Sequence, residues 1–210
     1  MTIFFTADQH FGHANILKYE ADYRKDHAGV TFRTVRHMDD AIVANWNATV
    51  GMDDTVYALG DFSYKIASIA EYLPRLNGRI ILIVGNHDPF FELCKTGREA
   101  EARKLAINAG FADMHMQHVI EIEGIGGVKL SHFPYAPPRP EDERHLRYVE
   151  LRPKPTGEAL LLHGHIHSQW TTRNYPKLPL MLNVGVDMHS MKPISETDLI
   201  ALLSSAPVSL

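Results

Sequence analysis

Short apolar runs recur along the chain, and each leads into a polar or glycine-containing segment. The runs are Ile3 to Thr6, Thr55 to Leu59, Ile80 to Val84, Val128 to Ser131, Leu160 to Leu162 and Leu180 to Val184. A short, continuous apolar run that is bounded by turn residues is typical of a strand buried on both faces. We therefore predict a buried strand at each of these positions.

Helix-like stretches lie between several of these strands. They are Asp39 to Val50, Ser63 to Leu73, Arg98 to Ala109 and Glu196 to Leu203. Gly51 and Gly110 are suited to end helices, and Ser195 is suited to cap the start of one. Alternating strands and helices in the first half favour parallel pairing through right-handed crossovers, whereas successive strands after Met114 predict a second, more antiparallel sheet. We expect an α/β fold.

A proline-rich insert at about residues 134–155 interrupts this pattern. Its prolines are Pro134, Pro137, Pro138, Pro140, Pro153 and Pro155. Such a segment cannot form a core element, although a short helix over Glu141 to Val149 fits its charged stretch. The insert is either a lid over a site or a solvent-exposed surface loop without a role in function. Its arginines, Arg139, Arg144 and Arg147, are suited to bind phosphate, but their acidic neighbours favour a solvated charged surface.

Composition narrows the class of protein. The chain has 210 residues, of which 45% are hydrophobic, and a formal net charge of -4, which fits a single domain over residues 1–210. The acidic balance argues against a surface that binds nucleic acid. The one cysteine, Cys94, cannot form an internal disulfide and is expected to be inert. Because no apolar run approaches the roughly 20 residues that span a bilayer, we expect a cytoplasmic protein.

Histidine is the unusual residue type, with 13 copies, and several follow the predicted strands. The polar residues at these strand ends are Asp8, His10, Asp61, Asn86, His87, Asp88, His132, His165 and His167. In open sheets, ligands gather at the carboxyl ends of strands. One such residue often only caps a helix, but the ordered set predicts a metal site. Carboxylate, amide and imidazole donors suit Mn, Fe, Zn, Co or Ni better than Ca or Mg.

Taken in order, these motifs resemble those of the calcineurin-like metallophosphoesterase superfamily. The motifs are Asp-x-His, Gly-Asp, Gly-Asn-His-Asp or Glu, a lone His and Gly-His-x-His, and all are present between Asp8 and His167. The opening Asp8 to His13 and the segments Asn183 to Asp187 and Lys192 to Ser195 also resemble a branch of small bacterial and phage phosphoesterases. The resemblance covers nearly the whole chain. It implies a four-layer αββα sandwich of two packed mixed sheets flanked by helices.

The resemblance also implies two divalent transition-metal ions. The ligands that the resemblance implies are Asp8, His10 and His167 for one ion, Asn86, His132 and His165 for the other, and Asp61 as a bridge between both. Manganese is favoured, with iron, zinc, nickel or cobalt as alternatives. Two ions about 4 Å apart lower the pKa of a shared water to roughly 7 and so supply hydroxide at neutral pH.

The expected function is hydrolysis of a small phosphomonoester or phosphodiester, such as a nucleotide or cyclic nucleotide, by attack of that hydroxide on phosphorus. By resemblance, His87 faces the leaving-group oxygen, and Asp88 is expected to fix the tautomer of His87. Two alternatives stay open. A nuclease is disfavoured by the acidic chain, and a non-catalytic metal-binding scaffold is disfavoured by the presence of His87. The native metal, the physiological ester, protein partners and the oligomeric state are not determined by the sequence.

Further residues near the motifs are not assigned as ligands. His163 precedes the last motif and is expected to be a buried hydrogen-bonding residue. His13 either approaches the substrate or has no role in the site, and Asn15 is expected to cap a helix. Trp170 is expected to pack against its neighbours.

Overall fold

The structure is a computed structural model, which describes residues 1–25, 29, 31–136 and 147–205 and, of residue 205, the backbone alone. The strands are β1 (Ile3–Thr6), β2 (Thr55–Ala58), β3 (Arg79–Ile83), β4 (Asp113–His115), β5 (Gln117–Ile122), β6 (Gly126–Ser131), β7 (Leu160–His163), β8 (Thr172–Arg173), β9 (Leu180–Asn183) and β10 (Ile194–Ser195). The α-helices are α1 (Ile16–Tyr19), α2 (Val35–Thr49), α3 (Ile66–Tyr72), α4 (Phe91–Lys95), α5 (Glu99–Asn108) and α6 (Glu196–Ser205).

The first sheet has the strand order β10-β1-β2-β3-β4. Strands β1 to β4 are parallel to one another, with Phe4 opposite Val56, and β10 runs antiparallel to β1. Side chains alternate along each strand, so that Phe4 and Val56 pack under the helices while Phe5 and Tyr57 face the second sheet. Burial on both faces explains why these strands are unbroken apolar runs.

The second sheet has the strand order β5-β6-β7-β9-β8. The pairs β6 with β7 and β7 with β9 are parallel, whereas β5 and β8 join the two edges antiparallel. Leu160 and Leu162 face the first sheet, and Leu161 points to the outer side. In the described part of the chain, the outer side is covered by side chains from irregular segments, namely Tyr135, Trp170, Tyr175 and Leu178.

Helices α1 to α5 contribute to the core on the outer face of the first sheet, where Trp46 of α2 is fully buried. Helix α6 places Leu199 in the core between the two sheets. Two mixed five-stranded sheets flanked by helices confirm the predicted fold class. Within the described residues, no helix has the length and apolar character that a membrane crossing requires.

The helix ends follow the local capping residues. Helix α2 begins at Val35 rather than at the predicted Asp39, because the Thr34 side chain accepts a hydrogen bond from the His37 backbone N–H at 3.2 Å. Ser195 caps α6 as predicted, with its Oγ accepting from the Asp198 N–H at 3.0 Å. Asn15 precedes α1 as predicted, but its side chain makes no capping hydrogen bond.

The proline-rich insert is described only at its two ends. Arg139, Arg144 and residues 141–146 of the predicted helix lie outside the described residues. The described end of that helix is not α-helical: Tyr148 is left-handed at a φ of 56°, and a 3-10 turn follows over Val149–Leu151. The Tyr148 ring packs on Phe133, with ring centroids 5.3 Å apart, which fixes this end of the insert beside the carboxyl end of β6.

Candidate metal centre

Loops from both sheets meet where the strands end. The Asp8 N–H donates to the Gly60 carbonyl at 3.0 Å, and the His10 N–H donates to the Asp61 carbonyl at 2.9 Å. The His165 N–H, from the second sheet, donates to the Asp8 carboxylate at 3.0 Å. These bonds bring residues separated by more than a hundred positions into one site, as the sequence predicts.

Two groups of side chains in this site could hold metal ions. One consists of Asp8, His10 and His167, and the other of Asp8, Asp61 and His132, with the ligand atoms of each group within 4.8 Å of one another. The Asp61 carboxylate lies between the groups, with Oδ2 3.6 Å from His10 Nε2 and Oδ1 3.4 Å from His132 Nε2. Asp61 therefore lies near histidines of both groups. Asp8 belongs to both groups, whereas the resemblance implies it for one ion.

Asn86 and His165 lie beside His132. The Asn86 Oδ1 is 3.2 Å from His132 Nε2, and the rings of His132 and His165 meet edge to face with centroids 5.1 Å apart. The Nδ1 of His132 is 2.8 Å from the Leu59 carbonyl, to which it donates a hydrogen bond, so that Nε2 is the ring nitrogen facing Asn86 and Asp61. The three side chains predicted for the second ion are therefore neighbours.

The backbone at five of the seven predicted ligands is left-handed. The φ angles are 61° at Asp8, 54° at His10, 53° at Asp61, 73° at His165 and 49° at His167. A residue with a Cβ adopts this conformation at a cost of about 1 to 3 kcal/mol, and such residues cluster at functional sites. Strain at so many of the predicted ligands indicates that side-chain placement, and not stability, determines the shape of these loops.

Burial sets the ionisation of the ligand side chains. It raises the pKa of Asp8 to about 6, although His167 and His132 oppose the rise. It also lowers the pKa of His10 well below its usual value, so this ring is neutral. Neither ring nitrogen of His10 has a hydrogen-bond partner among the described residues. A buried neutral imidazole without a partner is costly unless a metal ion binds it, so the residues present fit a metal site.

Two glycines allow the close approach of the loops. A Cβ on Gly60 would lie 2.6 Å from His132 Nδ1, and one on Gly85 would lie 2.5 Å from the Asp61 nitrogen. Real Cβ atoms do not approach other atoms this closely, and Gly60 has a φ of +85° in addition. The glycines that precede Asp61 and Asn86 are therefore required by the site.

The expected role of Asp88 is not the one the structure gives it. Its carboxylate accepts hydrogen bonds from backbone N–H groups of Asp61 (3.0 Å), Phe62 (2.9 Å) and Gly85 (2.8 Å). Each oxygen accepts two backbone hydrogen bonds, since Ser63 N–H also donates to Oδ1 at 3.3 Å, and among the described residues no hydrogen bond joins the carboxylate to His87. Asp88 holds the two metal-site loops together, whereas tautomer control of His87 has no geometric support.

His87 lines a cavity of about 250 Å³ that opens at the site. The other lining residues are Asp61, Asn86, Arg147, Tyr148, His165, His167 and Gln169. Arg147 of the insert lies at the rim of the cavity and is exposed, so its position agrees with the predicted solvated surface and also brings it close to the site. Tyr148 and Gln169 carried no signal in the sequence, because neither belongs to a motif.

The remaining histidines near the motifs have distinct places. His163 is fully buried, with Nδ1 2.8 Å from the Gly164 carbonyl, and burial lowers its pKa to about 3. His13 lies at the site, 5.4 Å from His10 and 6.3 Å from His87 between ring centroids. Tyr64, which the sequence did not indicate, stacks on His13 and lies 5.7 Å from His87.

A buried ion pair between Arg24 and Asp187 lies next to His167. His167 Nδ1 is 2.9 Å from Asp187 Oδ2, and Asp187 Oδ1 accepts from Arg24 Nε at 2.6 Å. Burial opposes protonation of His167, but the hydrogen bond to Asp187 and the charges of Asp8 and Asp187 together outweigh it and raise the pKa to about 9. Asp187 belongs to a motif noted in the sequence, whereas Arg24 carried no signal.

Comparison with known proteins gives relatives that match most of the chain. The gene 66 protein of Mycobacterium phage L5 is 31% identical over 182 residues, which cover 78% of this chain and 76% of the phage protein. An uncharacterized protein of Methanocaldococcus jannaschii is 27% identical over 98% of this chain and 93% of its own. No family model matches the chain.

Among solved structures, a protein of unknown function from Aquifex aeolicus has a TM-score of 0.63 at 26% identity, over 96% of this chain and 98% of its own. The phosphopantetheinyl hydrolase of Mycobacterium tuberculosis is more distant, with a TM-score of 0.45 at 14% identity over 93% of this chain and 94% of its own. That likeness is too weak to bear on function. The identity and coverage shared with the phage protein show the family: the chain belongs to the family of the mycobacteriophage L5 gene 66 protein.

Proposed function

We propose that the protein is a metal-dependent phosphoesterase that hydrolyses a small phosphomonoester or phosphodiester. One observation carries the proposal. Carboxylate, amide and imidazole side chains from both sheets converge on one site, on loops whose backbone is strained to the left-handed region at Asp8, His10, Asp61, His165 and His167. Evolution retains such strain where a function depends on it.

In this proposal two divalent transition-metal ions, with manganese favoured, supply an activated water and neutralise charge on the phosphoryl oxygens. The chain provides Asp8, His10 and His167 for one ion, Asn86, His132 and His165 for the other, and Asp61 between them. The separation of Asp61 from His10 and His132, 3.6 and 3.4 Å, supports the bridging role. The neutral, unpartnered ring of His10 supports direct ligation.

His87 is the proposed acid. Its ring lines the cavity and lies within 5.5 Å of the His10 ring between centroids, so it can donate a proton from its imidazole to the oxygen that leaves. Its backbone N–H donates to Asp61 Oδ1 at 2.8 Å, which fixes its position relative to the proposed bridge. Proton transfer by a positioned side chain contributes typically about 10²- to 10⁴-fold in rate.

The substrate is proposed to be small because the cavity is small. A volume of about 250 Å³ lies below the roughly 300 to 1,000 Å³ of pockets that enclose drug-sized ligands. Arg147 at the cavity would contact a phosphoryl oxygen, since a guanidinium pairs with phosphate through two parallel hydrogen bonds. The scissile phosphate and a compact alcohol would fill the space.

The test uses metal-depleted protein that is restored separately with Mn²⁺, Ni²⁺, Co²⁺, Zn²⁺ and Mg²⁺. Each form is assayed on a panel of phosphomonoesters, phosphodiesters, cyclic nucleotides and single-stranded nucleic acid. Metal-dependent turnover of small esters is expected. If the protein binds metal but hydrolyses none of the esters, the phosphoesterase proposal is wrong and a non-catalytic metal-binding scaffold is favoured. If it hydrolyses only nucleic acid, the proposal of a small ester substrate is wrong and a nuclease is favoured.

A further inference from the structure

Arg24 is an unusual residue to find inside this protein. Its side chain has no exposed surface, although a buried guanidinium loses its hydration and is retained only where its donors are bound. The segment that carries it follows α1 and belongs to none of the sequence motifs. Among the described residues, its oxygen acceptors belong to Asp8, Gln9 and Asp187, beside the candidate metal centre, and it also contacts Met38 Sδ at 3.5 Å.

The donors of Arg24 reach two loops of the site. Nε donates to Asp187 Oδ1 at 2.6 Å, and one terminal nitrogen lies 3.3 Å from Asp187 Oδ2. The terminal nitrogens also donate to the Asp8 carbonyl at 2.5 Å and the Gln9 carbonyl at 2.9 Å. Arg24 is therefore hydrogen-bonded both to Asp187 and to the backbone between the proposed ligands Asp8 and His10.

Asp187, held by Arg24, in turn orients the ring of His167. Its Oδ2 lies 2.9 Å from His167 Nδ1, and an ionised carboxylate can only accept hydrogen bonds. The hydrogen must therefore lie on His167 Nδ1. When the ring is neutral, the other nitrogen, Nε2, therefore has no hydrogen and is the atom that His167 can offer together with Asp8 and His10.

We infer that Arg24 and Asp187 are positioning residues that select the Nδ1–H tautomer of His167 for metal binding. Arg24 fixes the rotation of the Asp187 carboxylate, and Asp187 fixes the ring of His167. This inference rests on the proposed metal centre but not on any particular substrate.

The first test is the isosteric variant Asp187→Asn. Arg24 presents only donors, so the amide oxygen of Asn must turn toward Arg24, and its NH2 group then faces His167 Nδ1. The ring is forced to the other tautomer, with hydrogen on Nε2. We expect the Kd for Mn²⁺ to rise by about 10- to 100-fold, the usual loss when a residue that orients a metal ligand is changed. Calorimetric titration of metal-depleted protein measures this Kd.

The double variant Arg24→Met/Asp187→Asn separates orientation from simple loss of packing. Without Arg24, the amide is free to rotate and to accept from His167 Nδ1, which restores the binding tautomer. We expect the double variant to bind Mn²⁺ roughly tenfold more tightly than Asp187→Asn alone. A role limited to packing predicts the reverse, because two buried residues are then disturbed instead of one.

A matched control is available in a second arginine–aspartate pair. Arg103 donates to both oxygens of Asp113, at 2.5 and 2.9 Å, on the exposed side of α5, so Asp113→Asn should leave the Kd unchanged. Nitrogen-15 spectra of the metal-free protein, recorded above the pH at which His167 deprotonates, report its tautomer directly. An unchanged tautomer and Kd in Asp187→Asn, or no recovery in the double variant, would overturn the inference. Failure of the wild-type protein to bind metal would instead overturn the metal centre, while the spectra would still decide the tautomer.

Discussion

At the scale of the residue, the ring of His87 lies among other aromatic rings and lines the cavity together with Asp61. It lies near His10, His13 and Tyr64. We predict that His87→Ala lowers kcat by about 10²- to 10⁴-fold for esters with poor leaving groups and by less for good ones, since these need no proton. Turnover of a series of esters whose alcohols differ in acidity measures this dependence.

Measuring the metal content distinguishes two roles for His87, that of a proton donor and that of a metal ligand. Elemental analysis of His87→Ala should give the same metal content as the wild-type protein, because no proposed ligand is removed. Loss of bound metal, or an equal loss of kcat for good and poor leaving groups, would contradict the role as proton donor.

Arg147 is the second residue whose role can be measured singly. It reaches the cavity from the insert, and we predict that Arg147→Ala raises KM by about fivefold, equivalent to about 1 kcal/mol for a partly solvated contact to phosphate. The effect should be larger for a dianionic monoester than for a monoanionic diester. Steady-state kinetics on one ester of each kind give the comparison.

The control for Arg147 is Arg98→Ala, because Arg98 is exposed and pairs with Glu101 away from the cavity. This variant should have the kinetics of the wild-type protein. A fall in kcat with unchanged KM in Arg147→Ala would show that the guanidinium acts on the transition state alone and not on substrate binding.

The candidate ligands could be predicted from the sequence because each follows a strand that is itself recognisable. Arg24 could not, because its partner Asp187 is 163 positions away in the chain and neither residue type is unusual where it stands. Asp88 was noticed but misread: adjacency suggested an interaction with His87, whereas the turn directs its carboxylate to backbone N–H groups of Asp61 and Gly85.

At the scale of the element, predictability depends on burial. The strands β1, β2 and β3 are buried on both faces and stand out as apolar runs, whereas β5 alternates exposed and half-buried residues over most of its length. The two-residue strands β8 and β10 are too short to carry a period. Their pairing is decided by the neighbouring strands and so could not be predicted locally.

The connection from the insert into β7 offers a prediction on pH. Lys129 of β6 lies 2.9 Å from Glu158, and Thr156 donates to Glu158 through its backbone N–H at 2.7 Å and through its hydroxyl. Burial alone would raise the pKa of Glu158, but the hydrogen bonds from Thr156 and Lys129 outweigh it and lower the pKa to about 2. The ionised side chain therefore stabilises the folded state.

Because the folded-state pKa is lower than the unfolded one, this stabilisation is present above about pH 4.5 and is lost as the pH falls toward 2. We predict that Glu158→Gln lowers the free energy of unfolding by about 1 to 3 kcal/mol at pH 7 and by much less near pH 2.5. Urea unfolding of metal-free protein at both values measures the difference. The exposed Glu150→Gln should show no such dependence, and an equal loss at both pH values would contradict the assignment.

At the scale of the whole molecule, the site lies across the junction of the two sheets. Asp8, Asp61 and Asn86 follow strands of the first sheet, whereas His132 and His165 follow strands of the second. The sheets also share a core of their own, in which Phe5 and Leu162 are fully buried. Metal binding should thus reinforce a contact between sheets that already exists, rather than create the fold.

Metal removal is therefore predicted to lower Tm without unfolding the protein. A ligand at about 100 times its Kd stabilises the folded state by about 2.7 kcal/mol, which corresponds to roughly 5 to 10 °C for a chain of this size. Calorimetry of metal-free protein with and without Mn²⁺ measures the shift. His87→Ala should show the full shift, because it keeps every proposed ligand, whereas Asp61→Asn should show much less of it, because the proposed bridge is lost. A shift of equal size in Asp61→Asn would mean that Mn²⁺ binds elsewhere on the protein, and unfolding on metal removal would mean that the junction depends on the ions and not on the shared core.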